Sequence, residues 1–126
     1  MRCLFPLLTL FLLIGCGEPA PLPMAATPES AHAAVVRAFE AWKAGKRPTD
    51  LIAESPPLAF LDDDVNTGAK LLDYTIEGDA KPRGTGYSYT VSYTMQAADG
   101  KTRTKKASYN VATTPNIAVT KEDRKP

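Results

Sequence analysis

The sequence predicts an α+β domain: one N-terminal amphipathic helix packed on a curved four-stranded antiparallel meander. Three observations carry this. A single helix-period stretch holds the bulky apolar residues Val35, Val36, Phe39 and Trp42. The run GYSYTVSYTM, residues 86 to 95, alternates large apolar with small polar side chains without a break. Shorter alternating runs lie on either side of it, separated by turn residues.

The helix is expected over residues 28 to 44. Thr27 supplies an N-cap oxygen, Pro28 suits the first helical position, and Glu29 places an acid in the first turn. Gly45 can take the left-handed cap, and Pro48 forbids continuation. A short second helix is expected from Thr49 to Glu54, ended by Pro56 and Pro57.

Four strands are expected. Residues 69 to 77 put Leu72, Tyr74 and Ile76 on one face. Residues 86 to 96 follow, with Tyr87, Tyr89, Val91, Tyr93 and Met95 opposite Ser88, Thr90, Ser92 and Thr94. Residues 102 to 113 put Ala107, Tyr109 and Val111 on one face, and residues 116 to 121 add Ile117 and Val119. Parity sets the central hairpin. A two-residue Asp-Gly loop would oppose Tyr93 to Lys106 and mix the faces, since a one-residue slip inverts a strand. A three-residue loop, Ala98-Asp99-Gly100, opposes Tyr89 to Tyr109 and Val91 to Ala107, with Gly100 at positive φ. The tyrosine row then faces the helix, its hydroxyls led to a rim. The alternative is a solvent-open aromatic cleft.

The chain begins MRCLFPLLTLFLLIGCGEPAPLP. Arg2 precedes an apolar run too short for the roughly 20 residues a spanning helix needs. A positive tip, a short apolar core and small residues describe an export signal. Residues 17 to 27 are rich in proline and read as an extended tether. Domains are therefore expected at residues 1–15 (signal peptide), 16–27 (tether) and 28–126 (folded domain).

The run Leu13-Ile14-Gly15-Cys16 resembles the lipobox of bacterial lipoproteins. The resemblance implies cleavage between Gly15 and Cys16, lipid on the Cys16 sulfur and a membrane as partner. Gly17 in place of Asp favours the outer membrane of a Gram-negative envelope by the same resemblance. A plain secretory signal is the alternative. The other cysteine, Cys3, lies inside the expected signal, so the mature chain would hold no second thiol. The order of AFEAWKAG, DDDVNTGAKLLDYTI, a hairpin and YNVATTPNIAVTKED is similar to small exported proteins of the cystatin-like α+β roll, a shape shared with the nuclear transport factor superfamily. Enzymes of that shape carry a His and Asp pair in the cone mouth, and no positions here match it.

With 15 cations against 14 anions, the chain shows no charge excess that would favour nucleic acid. His32 is the lone histidine, a poor metal site without a second soft ligand. As a general base it would need an orienting acid. Asp62, Asp64, Asn66 and Asp73 fall at calcium-loop positions, but Thr67 replaces the required glycine and Asp73 the bidentate Glu. Asp62, Asp63 and Asp64 therefore read as a solvated acidic loop. Lys101, Arg103, Lys105 and Lys106 form a basic hairpin, expected to protect an edge beyond the helix. No glycine-rich phosphate loop or G-x-S-x-G context is present, and neither cofactor nor metal is expected.

The leading expectation is a lipid-anchored, non-enzymatic binding or interaction domain of the cell envelope, with a protein partner open. The alternatives are a binder of small anionic or amphipathic ligands, lined by Trp42, Tyr93 and Met95 with Arg103 and Lys105 fixing an anion, or a degenerate enzyme using His32.

Overall fold

A computed structural model describes residues 27–122. The expected signal peptide and all of the expected tether but Thr27, with Gly15 and Cys16, lie outside the described residues. Helix α1, Pro28–Lys43, starts in a capping box in which the Ser30 amide donates to Thr27 Oγ1 at 3.1 Å and the Thr27 amide to Ser30 Oγ at 3.0 Å. Its buried stripe comprises Val35, Phe39 and Trp42 with four alanines that let the helix approach the sheet closely. Helix α2 is shorter than expected, Pro48–Ile52, and begins where the Arg47 amide donates to Asp50 Oδ2 at 2.9 Å.

Strands β1 (Leu58–Leu61), β2 (Lys70–Arg83), β3 (Gly86–Gln96), β4 (Thr102–Ala112) and β5 (Ile117–Lys121) form one sheet, with a four-residue helix α3, Asp63–Asn66, between β1 and β2. The spatial order is β1-β5-β4-β3-β2. Strands β2 to β5 make the expected antiparallel meander. The four-stranded antiparallel sheet is corrected by β1, which pairs parallel to β5 and makes the sheet five-stranded and mixed. Four residues between a Pro-Pro pair and an acidic run carry little local strand signal, and the partner lies nearly a domain away along the chain.

The hairpin register agrees with parity: Tyr89 opposes Tyr109, Val91 opposes Ala107 and Tyr93 opposes Lys105. Gly100 takes φ +83° and donates its amide to Ala97 O at 2.9 Å. At the far end Gly86 is required for space, since a Cβ there would sit 2.1 Å from Val111 O. The expected face of β2 needs correction. A register shift between Leu71 and Asp73 makes Leu72 the extra residue, so Leu71 is buried and Leu72 is 45% exposed.

Indole and phenols share one side of the sheet. Phe39 is fully buried, with ring centroids 5.1 Å from Tyr109, 5.1 Å from Tyr74, 5.5 Å from Phe60 and 6.2 Å from Tyr93. Trp42 lies 5.6 Å from Tyr93 and donates its indole N–H to Ala69 O at 2.8 Å. Each ring thereby leads its polar tip to a partner while the body stays dry.

Candidate functional site: a buried carboxylate–tyrosine–lysine cluster

The inner face of the sheet is apolar except at one end, where β4 and β5 each place a lysine on it. Lys105 follows the parity of Tyr109, and Lys121 that of Val119. Opposite them, Asp62 caps α3 by accepting the Asp64 amide at 2.8 Å. This cap turns the chain so that Asp62 and Asp64 point inward and Asp63 outward. Asp62 is 2% exposed and Asp64 7%, which corrects the solvated acidic loop. The apolar run Leu58–Leu61 ahead of the acids pulls them into the core edge.

The carboxylates meet donors from three strands. The Tyr109 hydroxyl donates to Asp62 Oδ2. The Tyr93 hydroxyl donates to Asp64 Oδ2 at 2.7 Å. Lys105 Nζ lies 3.0 and 3.2 Å from the two Asp64 oxygens. Lys121 Nζ occupies the centre, 2.7 Å from Tyr93 Oη, 2.8 Å from Asp64, 3.1 Å from Asp63 and 3.4 Å from Asp62. An ammonium has three protons. The three shorter contacts use them, and Asp62 is held by charge.

The three carboxylate ligand atoms lie within 4.8 Å of one another, a spacing that can hold a metal ion. Lys121 Nζ already fills that centre, so an internal ammonium supplies the neutralising charge. Asp73, the last calcium-loop position, lies on β2 with its side chain 78% exposed, 3.9 Å from Lys43.

Electrostatics lock the protonation states. Burial pushes the Asp64 carboxyl up, but hydrogen bonds from Lys121, Tyr93 and Lys105 outweigh it and hold it down at about 2. Burial raises Asp62 despite the Tyr109 and Lys121 contacts. Burial takes the Tyr93 hydroxyl up to about 12, opposed by Lys121 and reinforced by Asp64. Burial also raises Tyr109, with the charge of Asp62 adding to it. Burial would lower Lys121, yet Asp64, Tyr93 and the other acids raise it. A lysine held protonated is no nucleophile, and a phenol held protonated is no base.

These directions give a stability profile. The depressed Asp64 stabilises the fold above its ordinary 3.8, and that contribution disappears as pH falls through about 2. The shift is worth up to about 2 kcal/mol, and Asp62, raised, works against it in acid. Lys121 stabilises below its ordinary 10.5 and loses its contribution as pH rises beyond that. Urea unfolding from pH 5 to pH 2 is expected to show a falling limb that Asp64→Asn flattens. An unchanged limb in the variant would contradict this charge assignment.

The sequence-derived ligand residues lie elsewhere or are engaged. Trp42, Tyr93 and Met95 are buried in the core. Arg103 lies 3.5 Å from Asp99 across the hairpin tip. Lys105 turns inward to Asp64 instead of lying beyond the helix. His32 is exposed, its ring edge-on to Tyr89 at 6.0 Å. Sequence reasoning did not single out Lys121, although a lysine at the parity of Ile117 and Val119 is the signal of a buried-face cation. Beside the cluster a depression of about 270 Å³ is lined by Leu61, Asp62, Asp63, Asn66, Thr120 and Lys121.

No family model matches the chain, and neither a curated protein nor a solved structure matches it.

Proposed function

We propose that the chain is a lipid-anchored protein of the cell envelope, carried on Cys16 and displaying a binding or interaction domain that performs no catalysis. One observation carries the non-catalytic reading: the buried ionisable groups are saturated by one another. Asp62, Asp64, Tyr93, Tyr109 and Lys121 have their donors and acceptors engaged in a single network, with Asp64 held charged and Tyr93, Tyr109 and Lys121 held protonated at neutral pH. Such a cluster acts as a polar rivet that sets the angle between α3 and the sheet. The anchor rests on Leu13-Ile14-Gly15-Cys16 at the end of a short apolar run. One helix packed on one face of the meander is consistent with a cystatin-like roll, to which β1 adds a parallel edge. The outer-membrane destination follows from Gly17 if the host has that membrane.

Intact-mass analysis of the full chain recovered from bacterial membranes tests the anchor. The expected species begins at Cys16 and carries diacylglycerol. Cys16→Ser is expected to remain uncleaved and lack the lipid mass. A wild-type species without lipid that begins elsewhere than Cys16 would overturn the reading.

A further inference from the structure

Strand β2 forms one edge of the sheet, so one side of its backbone has no neighbouring strand. Register shifts before Asp73 and after Glu77 limit the regular part of that edge to the five residues between them inclusive, each paired in step with β3. The groups this segment presents follow from the next hairpin. The Ala97 amide donates to Lys101 O, which continues the odd-numbered residues of β3 as the ones that bond β4. Bonded and non-bonded residues alternate in an antiparallel ladder. Even-numbered residues of β3 therefore bond β2, through Thr94 to Asp73, Ser92 to Thr75 and Thr90 to Glu77. Tyr74 and Ile76 are left to direct their amides and carbonyls out of the sheet.

The outward amide of Tyr74 is already occupied. It donates to Oδ1 of the preceding residue, Asp73, at 2.9 Å. The same oxygen lies 3.9 Å from Lys43 Nζ, which comes from the last turn of α1. Asp73 follows the parity of the outer face, whereas α1 packs on the inner one, so this pair crosses the edge.

An open edge is a template for another strand, and this one is complementary to itself. A second copy related by a twofold axis through Thr75 would set Tyr74 opposite Ile76 of the other copy. Each such pair would exchange both backbone bonds and satisfy every outward group of the segment. The same arrangement sets Asp73 against Glu77 of the other copy, and like charges directly opposite are destabilising.

We propose that Asp73 guards this edge: its carboxylate, steadied by Lys43, occupies the Tyr74 amide and so prevents β2 from adding the β2 strand of a second copy. Repulsion by Glu77 adds to the guard without carrying it. The inference uses neither the lipid anchor nor the Asp62–Lys121 cluster, and it fails separately from both.

The test is amide hydrogen exchange, read by NMR at Ile76, for the full chain in an excess of uncharged detergent at about 0.02 mM and about 1 mM protein. In the wild type the Ile76 rate is expected to be the same at both concentrations. In Asp73→Ala it is expected to be about fourfold slower at the higher one, as for a dimer that dissociates near 0.1 mM. The Asp73 side chain is 78% exposed, so the fold is retained in the variant. Glu77→Gln removes the repulsion but leaves the Tyr74 amide covered, and is expected to behave as the wild type. Concentration-independent exchange in Asp73→Ala, the same slowing in the wild type, or an equal slowing in Glu77→Gln would each overturn the proposal.

Discussion

Lys121→Met is expected to cost about 3–5 kcal/mol of folding stability, the range for removing one partner from a buried ion cluster. The methionine keeps the apolar stem, so the loss reports the ammonium alone. Without it, Asp62, whose side chain is fully buried, loses its nearest cation, and Asp64 keeps only the half-exposed Lys105. The pH response distinguishes this from a packing defect. In the variant both carboxylates are desolvated with less compensation, so their protonation favours the folded state. Its stability should rise more steeply as pH falls from 7 toward 4 than that of the wild type, where of the two only Asp62 is raised. Denaturant unfolding at both pH values reads the difference. A loss under about 1 kcal/mol, typical of exposed pairs, would show that the cluster is solvated.

Phe39→Ala should cost a similar amount, about 3–5 kcal/mol, for a different reason. Phe39 has no exposed surface, and its ring neighbours come from nearly every element: Trp42 on α1, Phe60 on β1, Tyr74 on β2, Tyr93 on β3 and Tyr109 on β4. Three of these rings are phenols anchored by their hydroxyls, Tyr74 to Glu40, Tyr93 to Asp64 and Tyr109 to Asp62. Anchored rings cannot collapse freely into the void, so the cavity term remains. Phe39→Leu keeps more of the volume and should cost under half as much in thermal or urea unfolding. Equal losses in the two variants would argue against a cavity effect.

Local signals carried much of the fold. Thr27-Pro28 located the start of α1, and a parity argument placed Tyr89 opposite Tyr109. Both depend on residues close in sequence. What escaped depends on distant partners. Strand β1 is defined by β5, across most of the domain. The exchange of Leu71 for Leu72 follows from a register shift against β3, which two adjacent leucines cannot reveal. For the cluster, counting acids at Asp62 to Asp64 suggested solvent because charged residues are seldom buried unpaired. Their partners, Lys105 and Lys121, come from strands more than forty positions later. The tyrosine row was legible as core, but not the use of its hydroxyls to hold two carboxylates.

The parallel edge has a consequence for how the domain comes together. Strand β5 lies between β1 and β4, so the last strand among the described residues is a wedge inside the sheet. Any product halted before Ile117 leaves Leu58–Leu61 without its ladder and Asp62 and Asp64 without Lys121. Closing such a long loop is entropically slow. A nascent chain therefore cannot complete this sheet until residues 117 to 121 are available.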